Sequence, residues 1–212
     1  MSIRSCRFHL TCHITSMKNY KLGKTYWFGG VLCLSLLGAW AAGGAEPTSF
    51  DLIKEGNRSL GEQSKDKVLG IHSDKSIASL MPSIWYVVYF DPDAAFKRAE
   101  VKFEAGRPMG VKRDRNPFGG SGALENVLDL KKLKVDSDRA IKTATAEPLL
   151  EKLTLKSTQL WLENTGGAPV WKVRLWAAKL KKPEATANIG DIFISAEDGK
   201  VVKTDLHINK VD

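Results

Sequence analysis

The stretch "IFISAEDGKVVKTD", residues 192–205, alternates apolar and polar side chains, reaches an Asp-Gly, and alternates again. Asp-Gly between two such runs is a strong short-range signal for a β-hairpin, because the turn needs residues that tolerate positive φ. Beginning 91 residues earlier, the chain writes "VKFEAGRPMGVKRD", residues 101–114. Set side by side, Val101 falls on Ile192, Ala105 on Ala196, Val111 on Val202, Lys112 on Lys203 and Asp114 on Asp205. The pairing predicts one small fold written twice.

Working outward, each hairpin is preceded by an aromatic strand and a helix. "WYVVYFD" (85–91) is aromatic and β-branched and lies between Pro82 and Pro92; "VWKVRLW" (170–176) answers to it in the second half. "KVLGIHS" (67–73) and "STQLWLE" (157–163) read as further strands, and "NTGG" (164–167) as hairpin turn chemistry. Thr48 or Ser49 can cap a helix over roughly 48–61, and Asp136 or Ser137 can cap a helix within 135–153 that Pro148 kinks or restarts. "RNPFGGSGALEN" (115–126) separates the halves as a glycine-rich connector. The expected fold is therefore α+β: two tandem small domains, each one helix packed on a three- to four-stranded antiparallel sheet. The expected limits are 46–114 for the first, 115–134 for a Gly-rich linker and lead-in, and 135–212 for the second.

Residues 1–45 read as a signal peptide. The apolar run "YWFGGVLCLSLLGAWAA" (26–42) follows Lys18, Lys21 and Lys24 and ends at small residues suited to cleavage after Ala45. As an uncleaved segment it would be at the short limit for spanning a bilayer, the one membrane contact the sequence offers. Its removal changes the charge balance. Of the 32 basic residues, Arg4, Arg7, Lys18, Lys21 and Lys24 precede residue 46, which leaves 27 against 24 acidic ones, a net of +3 instead of +8. Nucleic-acid binding, which needs a concentrated basic footprint, loses its support. Cys6, Cys12 and Cys33 also fall in the removed part, so the mature chain must hold itself by burial without disulfides. A periplasmic or secreted location is expected.

At "PVWKVRLW" followed by "IGDIFISAEDGKVVKTDL", with "DRAIKTATAEPLLEKL" upstream, the chain resembles a PepSY domain. The likeness covers the C-terminal part of the chain. In the first half "AGRPMG" replaces the Asp-Gly-Lys turn. The resemblance implies an inhibitory, chaperone-like or protein-binding role toward a peptidase or envelope protein, without catalysis.

No residue constellation argues for an enzyme or a cofactor. His72 and His207 have no carboxylate at a recognisable ligand spacing, and a metal site needs three or four ligands in one place. "DPD" (91–93) and Asp198-Gly199 are turn chemistry. Gly119–Gly122 are not followed by the lysine a phosphate loop requires.

The aromatic positions carry more. Neighbours on a strand face opposite sides. Trp171, Val173 and Leu175 should face a helix-covered core with Leu160, Leu162, Ile192 and Ile194, which leaves Trp161, Lys172, Arg174, Trp176 and Phe193 on the other side. In the first half Trp85, Val87 and Tyr89 oppose Tyr86, Val88 and Phe90. Such a second face should be polar, and an apolar one marks a contact surface. Two uses are expected of it. The two sheets, or two chains as a homo-oligomer, cover each other, or Trp161, Lys172, Arg174, Trp176 and Phe193 bind a protein or peptide. A small-molecule or carbohydrate binder using the Trp-rich faces is the alternative.

Overall fold

The hairpins fold where the glycines place them. In the computed structural model, which describes residues 47–113 and 123–212, Gly166 and Gly167 take φ of 62° and 87° between the paired Thr165 and Ala168. This two-residue turn joins β5 (Leu155–Thr165) to β6 (Ala168–Ala178). Gly199, with φ 81°, closes a longer loop between β7 (Thr186–Ser195) and β8 (Val201–Leu206), where Ser195 Oγ accepts from Glu197 N and Asp198 N. In the first half β1 (Val68–Ser73), β2 (Ile84–Phe90), β3 (Arg98–Glu104) and β4 (Arg107–Arg113) form the matching meander. Helix α1 (Ser49–Asn57) precedes the first set and α2 (Ser137–Thr145) the second; Pro148 begins a separate short 3-10 turn after α2. The expected signal peptide, and residues 115–122 of the connector, lie outside the described residues.

The expectation of two separate helix-on-sheet domains is overturned. All eight strands belong to one antiparallel sheet, in the order β4-β3-β2-β1-β5-β6-β7-β8. The element order does repeat, but the halves join edge to edge where β1 pairs with β5. Three residue pairs make this seam: Gly70 with Glu163, Ile71 with Leu162, and His72 with Trp161. Nor do the two sheets cover each other face to face. The physical reason is that side-chain alternation specifies faces, whereas joining two meanders uses the unpaired N–H and C=O groups of their first strands, which any sequence carries. Gly70 is the local trace of the joint. A Cβ there would sit 3.0 Å from the Leu162 carbonyl oxygen, and glycine inside a strand often marks a close backbone approach.

The repeat is in register up to the second turn and two residues out beyond it. Val101 and Ile192 are both fully buried, but Val101 pairs with Val111, whereas Ile192 pairs with Thr204. Between matching paired positions the second half runs two residues longer than the first, which turns through Ala105-Gly106, so Val202 does not match Val111; it is exposed.

One face of the sheet carries both helices. Trp85, Val87 and Tyr89 on β2 are buried there, as are Trp171, Val173, Leu175, Leu160, Leu162, Ile192 and Ile194 in the second half. The buried polar atoms of the aromatics are satisfied: Trp171 Nε1 donates to Val135 O and Trp85 Nε1 to Pro82 O, both at 2.8 Å, and Tyr89 Oη donates to Ile53 O of α1. The two helix N-termini meet at a single carboxylate. Asp136, the N-cap of α2, accepts from Ser137 N at 2.6 Å and also from Ser49 Oγ at 2.5 Å and Phe50 N at 3.3 Å in the first turn of α1. Thr48 precedes α1 but makes no side-chain cap bond of its own. Orphan N–H groups and the positive end of each helix dipole favour a carboxylate there.

Candidate functional site

Among the described residues neither α-helix packs on the opposite face. Successive cross-strand pairs set one row of residues across its full width: Gly110, Lys102, Tyr86, His72, Trp161, Lys172, Phe193 and Lys203, one from each of the eight strands. At the usual strand spacing this row is about 34 Å long. His72 stacks on Tyr86 with centroids 4.7 Å apart and planes inclined by 14°, and beyond the seam Trp161 continues the line.

Each aromatic ring of this face has a cation over it. Lys102 lies 5.9 Å from the Tyr86 centroid, Lys172 and Arg174 lie 5.0 and 5.1 Å from Trp161, and Lys203 lies 5.4 Å from Phe193. Lys75 sits 4.6 Å above Trp176, and Lys67 sits 5.8 Å from Phe90. Such contacts hold both partners at short range without consuming the ammonium group's other hydrogen-bonding positions.

Two acids of the face, Asp191 and Glu100, are engaged internally. Asp191 receives Arg174 in a fork, Nε at 2.7 Å and Nη2 at 3.0 Å, with Lys172 Nζ at 3.6 Å. Burial pushes the Asp191 carboxyl up, but Arg174 and Lys172 outweigh it and hold the group below its usual range. Glu100 lies 3.4 Å from His72 Nε2; that bond outweighs burial and, with Lys112 and Arg98 nearby, lowers the Glu100 carboxyl. Burial raises the Tyr86 phenol, and Asp74, which accepts from it at 3.2 Å, raises it further.

Two hollows meet at His72. One, of about 640 Å³, lies against Tyr86, Glu100, Lys102 and Lys112. The other, of about 300 Å³, lies over Gly70 and is bordered by Val88, Arg98, Glu163 and Asn126.

All five residues singled out from the sequence stand on this face. Trp161, Lys172 and Arg174 form one cluster, and Phe193 adjoins Lys172 across the next strand pair. Trp176 stands apart, opposite Ser157 and Asn188, and is met by Lys75 from the first half. Sequence reasoning missed the continuation through His72, Tyr86 and Lys102. Their period-two positions were legible, but the seam that aligns them with Trp161 was not. Asp191, the anchor of Arg174, was also missed; it lies 17 residues away on the neighbouring strand.

The remaining polar candidates have structural partners. Asp91 is buried, bonds Arg113 Nε at 2.8 Å and receives Asp93 N within the turn. His207 lies 3.5 Å from Asp205. Among the described residues no three His, Cys, Asp or Glu side chains group to hold a metal ion, and no helix is long and apolar enough to cross a membrane. No family model, no curated protein and no solved structure matches the chain.

Proposed function

We propose that the chain is a non-catalytic binding protein that takes an acidic protein or peptide surface on the open face of its sheet. The carrying observation is that Tyr86, Phe90, Trp161, Trp176 and Phe193 each lie under a lysine or arginine at 4.6–5.9 Å, while the neighbouring acids Asp191 and Glu100 are already paired. Aromatic and arginine anchors are the residue types that carry most interface energy. The cations left over seek carboxylates, so an acidic extended segment, or a protein presenting one, is the complementary occupant.

The PepSY resemblance of the second half implies a role of the same kind, inhibitory or chaperone-like toward a peptidase or envelope protein, and the reading as a secreted or periplasmic chain goes with it. The cations held 4.6–5.1 Å from the Trp176 and Trp161 rings favour an anionic occupant over a neutral carbohydrate.

Tryptophan fluorescence tests the reading. Titration with an extended decapeptide alternating glutamate and valine should change the emission, and Trp161→Phe or Trp176→Phe should reduce the response. Raising the salt should weaken it, since exposed charge attraction is screened. A response to neutral oligosaccharides with none to the peptide would overturn the proposal.

A further inference from the structure

The connection between β1 and β2, residues 74–83, is fixed at both flanks yet holds out one aliphatic side chain. Ser76 is buried. Its N–H donates to Thr158 O at 2.8 Å, and its Oγ accepts from Thr158 N at 2.8 Å and donates to Ser79 O at 2.7 Å. Thr158 Oγ1 donates to Leu80 O at 2.5 Å, and Ser79 Oγ donates to Met81 O at 2.7 Å. Leu80 and Met81 pack against the core, and Pro82 O receives Trp85 Nε1. The first half's loop is thus tied to β5 of the second half.

Between these ties Ile77 is 84% exposed, the most exposed large apolar side chain among the described residues. Ala78 beside it has φ 60°, a left-handed conformation that costs a residue with a Cβ and persists only where surroundings impose it. Single exposed apolar side chains are ordinary. What sets Ile77 apart is a backbone already ordered around it, since ordering a loop on binding is a main cost of association. The loop also borders the open face. Lys75, two residues before Ile77, is the cation over Trp176 and lies 3.4 Å from Thr186 Oγ1.

Building on the open-face reading above, we propose that residues 74–83 form a preorganised anchoring loop. Ile77 enters a closed apolar pocket on the partner protein, and carboxylates at that pocket's rim meet Lys75 and the adjoining cations of the sheet. The partner class is therefore a protein with an apolar cleft edged by acidic residues.

A phage-displayed library of disulfide-cyclised peptides, panned on the mature chain, tests this with a defined probe. Each enriched family is measured against wild type, Ile77→Asp, Ile77→Ala and the pair Lys172→Glu with Lys203→Glu. Ile77→Asp should leave the thermal midpoint unchanged, because the side chain is in solvent. The dominant families should lose at least tenfold affinity on Ile77→Asp and several-fold on Ile77→Ala, and should weaken on the lysine pair. Families that lose affinity on the lysine pair but bind both Ile77 variants normally would overturn the loop and leave the open-face reading standing. Families lost on Ile77→Asp alone would keep the loop and overturn the open face. Families indifferent to every variant, or no enrichment at all, would overturn both.

Discussion

Along β6, Trp171, Val173 and Leu175 are fully buried, while Lys172, Arg174 and Trp176, interleaved with them, are partly exposed. The same strand therefore presents tryptophan to both sides and uses it in opposite ways. Trp171 is enclosed, with its indole N–H satisfied by Val135 O. Trp161, on the neighbouring strand's other face, lies against two cations and reaches solvent. A large apolar ring stabilises a fold only where its surface is removed from water by the chain itself; on the open face the same area is left for a second molecule.

Replacing the two rings separates these uses most sharply. Trp171→Ala removes an enclosed ring and should lower unfolding free energy by about 3–5 kcal/mol. Trp161→Ala should change it by no more than about 1 kcal/mol while reducing binding of the acidic peptide. Denaturant unfolding of both variants checks this, and equal losses would erase the distinction between the faces.

The electrostatics of the open face give a smaller, pH-dependent effect. The folded Asp191 carboxyl titrates below its ordinary value because Arg174 and Lys172 outweigh burial. Its contribution is therefore present above the unfolded carboxylate value of about 4 and is lost as pH falls through the lower folded value. Asp191→Asn should lower the thermal midpoint near neutrality, and the gap to wild type should close as the pH falls through the lowered folded value of the carboxyl. A gap that persists at low pH would mean that the side chain acts through packing and not charge.

The smallest expected change touches neither face. Ala105 sits at φ 46° in the two-residue turn between β3 and β4, followed by Gly106 at φ 77°. Asparagine tolerates that conformation better than alanine, so Ala105→Asn should stabilise by about 0.5–1 kcal/mol without altering peptide binding. A change in binding would show that hairpin rigidity also shapes the open face.

Which of these features the sequence made legible follows from where the information resides. Turn glycines and period-two alternation are local, so the hairpin at Gly166-Gly167, the buried set around Trp171 and the displayed set around Trp161 could all be read from the residues. Pairing between β1 and β5 is made by backbone groups common to every residue; Gly70 was its one trace and resembled any glycine in a strand. The match of Val202 to Val111 failed because two added turn residues are invisible until strands are paired. Asp136 could be recognised as the cap of the helix it begins, but not of a helix 86 residues away.

That shared carboxylate has a consequence for the chain as two polypeptides. Severed between residues 113 and 123, the N-terminal fragment would carry a helix whose first turn has no acceptor of its own, because the oxygen that receives Phe50 N belongs to the other fragment. The C-terminal fragment would keep its cap but present β1's partner edge unmatched. Each piece should be incomplete in isolation and regain order on mixing, so the halves are complementary parts more than interchangeable copies.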